Sequence, residues 1–157
     1  MPNEITQRFD ASAAATITLA SLASSTVGVG RQGTLVDNTG NKYGSLLIHA
    51  KITNGTSPTA NSIVALYLIR SDNDGTEHRD DGAGTSDAGL TVLNAQLIGT
   101  LRSSGTSDSA MLGTFVVHDP GPEWTIAVVN STGVALHATG GNHWIRYTGL
   151  NPDIQSS

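Results

Sequence analysis

Residues Trp124–Leu150, WTIAVVNSTGVALHATGGNHWIRYTGL, hold both tryptophans of the chain and one of its three tyrosines. Short apolar segments within it are divided by Asn130-Ser131-Thr132-Gly133 and by Gly140-Gly141-Asn142. Such residues tolerate positive φ, so the stretch reads as successive antiparallel strands joined by turns. Aromatic side chains are only 4% of the chain. The core is therefore expected to be deepest where the two tryptophans lie, because each carries a large apolar surface. Trp124, Ile126 and Val128 share one face of this stretch, with Ile145 and Tyr147 as their expected counterparts.

The same pattern extends outward. Ser45–Thr53 alternates most cleanly, with Leu46, Ile48, Ala50 and Ile52 on one side, His49, Lys51 and Thr53 on the other, and Leu47 as the exception. Thr16–Leu22, Gln96–Arg102, Met111–His118, Val134–Ala138 and Trp144–Thr148 read as further strands, and Leu97 and Leu101 are expected to share a face. Ile63–Ile69 (IVALYLI) is apolar on both faces. That predicts cover on both sides, with the core on one and a loop, an arm or a neighbouring subunit on the other. Asp119-Pro120-Gly121-Pro122 reads as a rigid reversal.

No stretch sustains a 3.6-residue apolar period, and about eight or nine short strands recur between turn signals. The expected fold is all-β, an antiparallel β-sandwich. It is jelly-roll-like rather than an up-and-down barrel, because the loops at 54–61, 71–89 and 103–109 are long and uneven. The 157 residues suit one domain, divided into an N-terminal arm over 1–15, a sandwich over 16–150 and a polar tail over 151–157.

Composition narrows the function. There are no cysteines, so disulfides, thiolate metal sites and cysteine nucleophiles are excluded. Charged residues are 13% of the chain, against about 25% in typical soluble domains. The lysines are Lys42 and Lys51 and the arginines are scattered, whereas nucleic acid binding needs clustered cations. No apolar run is long enough for a membrane helix, and no signal peptide is expected. The net charge of −5 has one source: Asp72, Asp74, Glu77, Asp80, Asp81 and Asp87, opposed only by Arg79.

The candidate motifs fail on context. Gly28-Val29-Gly30-Arg31-Gln32-Gly33 matches a dinucleotide fingerprint, but strand and turn residues follow where a helix must begin. Glycines inside a strand instead mark a bulge or a close backbone approach. Gly84–Gly89 misses the nucleophile-elbow spacing, and the five histidines are dispersed, so no catalytic set is expected. Asp72-Asn73-Asp74-Gly75 opens like a calcium loop, yet Glu77 and Ala83 stand where an EF-hand needs Gly and Glu. An irregular calcium site of Asp72, Asp74, Asp80 and Asp81 stands against a solvated acidic loop, and no other cofactor is expected. Asn54 and Asn130 head glycosylation sequons. Trp144 alternates out of phase with Ile145 and Tyr147, which would expose it for glycan contact.

GTEHRDDGAGTSDAGLTVLNAQLIG (75–99) and VVHDPGPEWTIAVVNSTGVALHATGGNHWIRYTGLNP (116–152) resemble segments of small structural proteins encoded among the virion genes of tailed bacteriophages and prophages. The resemblance implies a non-enzymatic particle component, most similar to capsid decoration (cement) proteins. These bind the major capsid protein on the outer surface of the head as homo-oligomers, often trimers. Under that reading the contacts to capsid or neighbouring subunit would come from Ile5, Arg8 and Phe9 of the arm and from Val64, Leu66 and Leu68 of the doubly apolar strand. A carbohydrate- or receptor-binding module of a tail or fibre is the alternative.

Overall fold

The computed structural model describes residues 4–24, 29–72, 86–89 and 95–155. Among these the chain forms β1 (Glu4–Phe9), β2 (Ala13–Ala14), β3 (Val29–Gln32), β4 (Val36–Asp37), β5 (Ser45–Thr53), β6 (Ile63–Ser71), β7 (Ala88–Gly89), β8 (Gln96–Arg102), β9 (Ala110–His118), β10 (Glu123–Ser131) and β11 (Trp144–Gln155), with a 3-10 turn at Gly140–Asn142. The first sheet runs β1-β11-β5-β9, with β2 also on β11. The second runs β7-β3-β10-β6-β8, with β4 also on β10.

All pairings are antiparallel and they nest. From the ends inward, β1 and β2 pair with β11, β3 and β4 with β10, β5 with β9, and β6 with β8. Successive pairs alternate between the sheets, as when one long ribbon is rolled up. That is jelly-roll topology, the sandwich expected from the strand pattern.

The core lies between the sheets. β5 supplies Leu46, Ile48, Ala50 and Ile52, β6 supplies Val64, Leu66 and Leu68, and β10 supplies Trp124, Ile126 and Val128. Ile145 of β11 joins them, and Tyr147 meets Trp124 edge-on. The two-sided apolarity of β6 has an intrachain cause. Ala65 and Ile69 on its outer face cluster with Ala127 and Val129 of β10, with Tyr67 and Ala95 packed against them. Val64, Leu66 and Leu68, expected at a subunit or capsid contact, are instead completely buried in the sandwich core.

Four other expectations change. Thr16–Leu22 and Val134–Ala138 are not sheet strands. They carry Leu19, Leu22 and Leu136 into the core, and Leu136 N–H donates to the Leu22 carbonyl at 3.0 Å. Leu97 and Leu101 do not share a face, because the β6–β8 register shifts between Leu66 and Tyr67. This bulge turns Leu97 outward, while Leu101 and Ile98 face the core. Residues of the expected arm and tail pair with each other, Glu4–Phe9 lying against Leu150–Gln155. β5 pairs with β11 only as far as Leu150, so this pair extends beyond the sheet as a two-stranded ribbon. Gly33, just past β3, marks a close backbone approach: a Cβ there would lie 2.6 Å from the Thr16 carbonyl oxygen. No helix begins at the GxGxxG residues described, so the dinucleotide reading is closed.

Candidate interaction surface

Directly opposed residues of an antiparallel sheet project from the same face, so the register assigns the outer surface of the first sheet. Trp144, Lys51 and Leu112 form one row. Arg146, His49 and Thr114 form the next, then Thr148, Leu47 and Val116. Phe9, Leu150, Ser45 and His118 make the last row across all four strands. Diagonal neighbours on a sheet are within reach of long side chains. Phe9, Leu150, Leu47 and Val116 therefore compose an oblique apolar stripe that leads out along the ribbon to Ile5.

On this face Ile5 is exposed at 73%, Phe9 at 63%, Leu112 at 68% and Val116 at 52% of their full area, while Leu47 and Leu150 are half-buried. No Asp or Glu stands in these four rows, whereas Lys51 and Arg146 do. In a chain of net charge −5, this face is apolar with a cationic margin. The histidines are held by neighbouring hydroxyls, His49 Nδ1 by Thr114 at 3.1 Å and His118 Nδ1 by Ser45 at 3.0 Å.

Ile5 and Phe9 thus stand where a contact role requires. Arg8 projects to the opposite side of the ribbon, where its Nε donates to Asp10 at 3.0 Å. Tyr43 sits beside this pair. Its phenol is held above its usual pKa, first by burial and then by its hydrogen bond to the Asp10 carboxylate. Leu112 and Val116 were not anticipated. The signal was available, since Met111–His118 is apolar at both parities just as Ile63–Ile69 is.

A second feature lies at one end of the sandwich, a cleft of about 440 Å³ lined by Ser21, Thr56, Asp108, Leu136 and His137 among others. Asp108 Oδ1 is 3.7 Å from His137 Nε2, and His137 Nδ1 accepts the Thr139 N–H at 3.0 Å. Among the described residues no hydroxyl is bonded to the His137 ring, whose nitrogens instead meet the Thr139 N–H and the Asn142 amide. His143 bonds the same loop and is pushed below its usual pKa chiefly by burial.

Of the acidic stretch, Asp72 is exposed at the end of β6, while Asp74, Asp80 and Asp81 lie outside the described residues. Asp87 is engaged within the chain, pairing with Arg31 Nε and accepting the Ala23 N–H at 3.2 Å. Arg31 Nη1 also donates to the carbonyls of Thr18 and Ala20. Asn54 and Asn130, the two sequon asparagines, are fully buried and so closed to glycosylation in the folded protein.

No family model matches the chain, and no curated protein matches it. Among solved structures, it is similar to a chain in a structure of infectious bursal disease virus Gx strain, with 19% identity and a TM-score of 0.24. The match covers 94% of this chain and 40% of that one, so this chain spans under half of that protein's length. A superposition this loose carries no inference about role.

Proposed function

We propose that the protein is a non-enzymatic structural component of a tailed-phage particle, a decoration protein that binds the major capsid protein lattice on the outer surface of the head as a homo-oligomer. The observation that carries this reading is the outer face of the first sheet, acid-free in its four rows, striped by Phe9, Leu47 and Val116 and prolonged by the ribbon. Exposed apolar area with a polar margin is what a protein contact surface requires. The resemblance of 75–99 and 116–152 to virion proteins supports the same reading. Affinity would come from repeated engagement by an oligomer more than from any one contact.

The test is co-sedimentation of the full chain with expanded shells of the major capsid protein from the same genome. Binding is expected, with at least a tenfold loss on Phe9→Lys combined with Val116→Lys. Absence of binding by the folded wild-type protein would overturn the reading. The cleft beside Asp108 and His137 favours a second reading, a glycan- or receptor-binding module. Glycan-array binding that depends on Asp108 or Trp144, without capsid affinity, would select it.

A further inference from the structure

Strand β9 ends the first sheet, and among the described residues no strand is hydrogen-bonded to its outer edge, while β8 of the second sheet packs beside it through Phe115 and Leu101. Sheet edges expose unpaired N–H and C=O groups, and proteins blunt them with short strands, charges, proline or bulges. The other edges here follow that rule. β2, β4 and β7 are two residues long. β1 contains Glu4 and Arg8, while β8 is bulged against β6 and ends in Arg102.

β9 carries none of these devices. Its nine residues, Ala110-Met111-Leu112-Gly113-Thr114-Phe115-Val116-Val117-His118, include no Lys, Arg, Asp, Glu or Pro. Its nine pairs with β5 run without a register shift. Leu112 and Val116 stand exposed on its outer face.

We infer that β9 pairs antiparallel with β9 of a second copy, about a two-fold axis through Thr114. This register sets Leu112 of each protomer opposite Val116 of the other. It also sets Ala110 opposite His118. Shifting the axis to Gly113 puts Leu112 against Thr114, and shifting it to Phe115 puts Val116 against Thr114. Only the Thr114 register joins the two exposed apolar side chains to each other.

The apolar stripe that ends at Val116 in one protomer then continues into the Leu112, Lys51 and Trp144 row of the other. The two outer faces become one bivalent surface. The inference builds on the homo-oligomer of the reading above, but its test needs no capsid, so either can fail alone.

The chain has no cysteine, which makes a cross-link diagnostic. Opposed residues have Cα atoms about 4.5–5.5 Å apart, within disulfide range. Thr114→Cys, folded as judged by circular dichroism, is expected to form a covalent dimer on mild oxidation, whereas Leu112→Cys alone is not. In sedimentation of the uncrosslinked protein, Thr114→Lys sets two cations together on the axis and should weaken dimerisation at least tenfold with the melting curve of the monomer retained. A wild-type protein that stays monomeric at high micromolar concentration would overturn the inference. So would an oligomer that survives Thr114→Lys, or efficient cross-linking through Leu112→Cys in place of Thr114→Cys.

Discussion

The indole of Trp124 and the ring of Tyr147 meet edge to face, with centroids 4.9 Å apart and planes at 88°. They come from opposite sheets, β10 and β11, so this contact spans the sandwich. Trp124 is completely buried, and among the described residues its Nε1–H has no acceptor. Trp124→Ala is expected to cost about 3–5 kcal/mol. Trp124→Phe should cost less than half of that, because it keeps an aromatic edge and removes an unsatisfied donor. Urea unfolding with an unchanged m-value checks both.

The buried amide of Asn130 closes the loop after β10. Its Nδ2 donates to the carbonyls of Leu22 at 3.0 Å and Val134 at 2.8 Å, and its Oδ1 accepts from the Thr132 hydroxyl at 2.8 Å and the Thr132 N–H at 3.0 Å. Asn130→Ala leaves these partners buried without their bonds and should lower stability by about 2–4 kcal/mol. Asn54 is as buried but among the described residues its Oδ1 has no partner, so Asn54→Ala should cost less, about 1 kcal/mol. Equal losses in parallel chemical denaturation of the two variants would contradict this ordering.

Gly149 lies beneath the ring of Tyr43, and a Cβ there would collide with Cε1 of the ring. Gly149→Ala must displace Tyr43, at about 1–3 kcal/mol. Tyr43 also bonds Asp10, just beyond β1. Hydrogen exchange across β1 should therefore quicken in this variant more than exchange in β6.

Acidification should weaken the fold through His143. Its Nδ1 accepts the Thr53 N–H at 3.2 Å while Nε2 bonds the His137 carbonyl at 2.8 Å, an arrangement only the neutral ring satisfies. Burial, the leading cause, holds its pKa below the ordinary 6.5. The unfolded chain then takes up a proton at higher pH than the folded one. The stabilisation is complete above the unfolded value and is lost as pH falls through the folded value. Melting temperatures measured from pH 8 to pH 5 should drop at the acid end for the wild type. His143→Gln should start lower at pH 8 and show a shallower decline.

Much of the sandwich was legible because a strand half-buried on a two-layer core must alternate. β5 and β8 match their expected limits, and the facing of Trp124 and Ile126 toward Ile145 and Tyr147 holds. The proposed contact surface was legible only in part. Ile5 and Phe9 are exposed as a contact role requires, but Val64, Leu66 and Leu68 belong to the core. Two-sided apolarity reports that a strand is covered twice without saying by what. In β6 the outer-face residues Ala65 and Ile69 are buried within the chain beside Ala127 and Val129 of β10, whereas in β9 the same signal leaves Leu112 and Val116 open.

The order of residues alone determined that this chain is all-β, where its longer strands lie, and which side chains of β5 and β10 face inward. Those properties depend on local geometry, the two-residue period of a strand and the conformations that Gly, Asn and Pro allow. Only the tertiary structure decided that the two ends of the chain pair as a ribbon, that a bulge in β8 reverses Leu97, and that β9 rather than β6 offers an open edge. Those depend on which strand lies beside which. Partners distant in sequence decide that, and a one-residue shift in register exchanges the buried face for the exposed one.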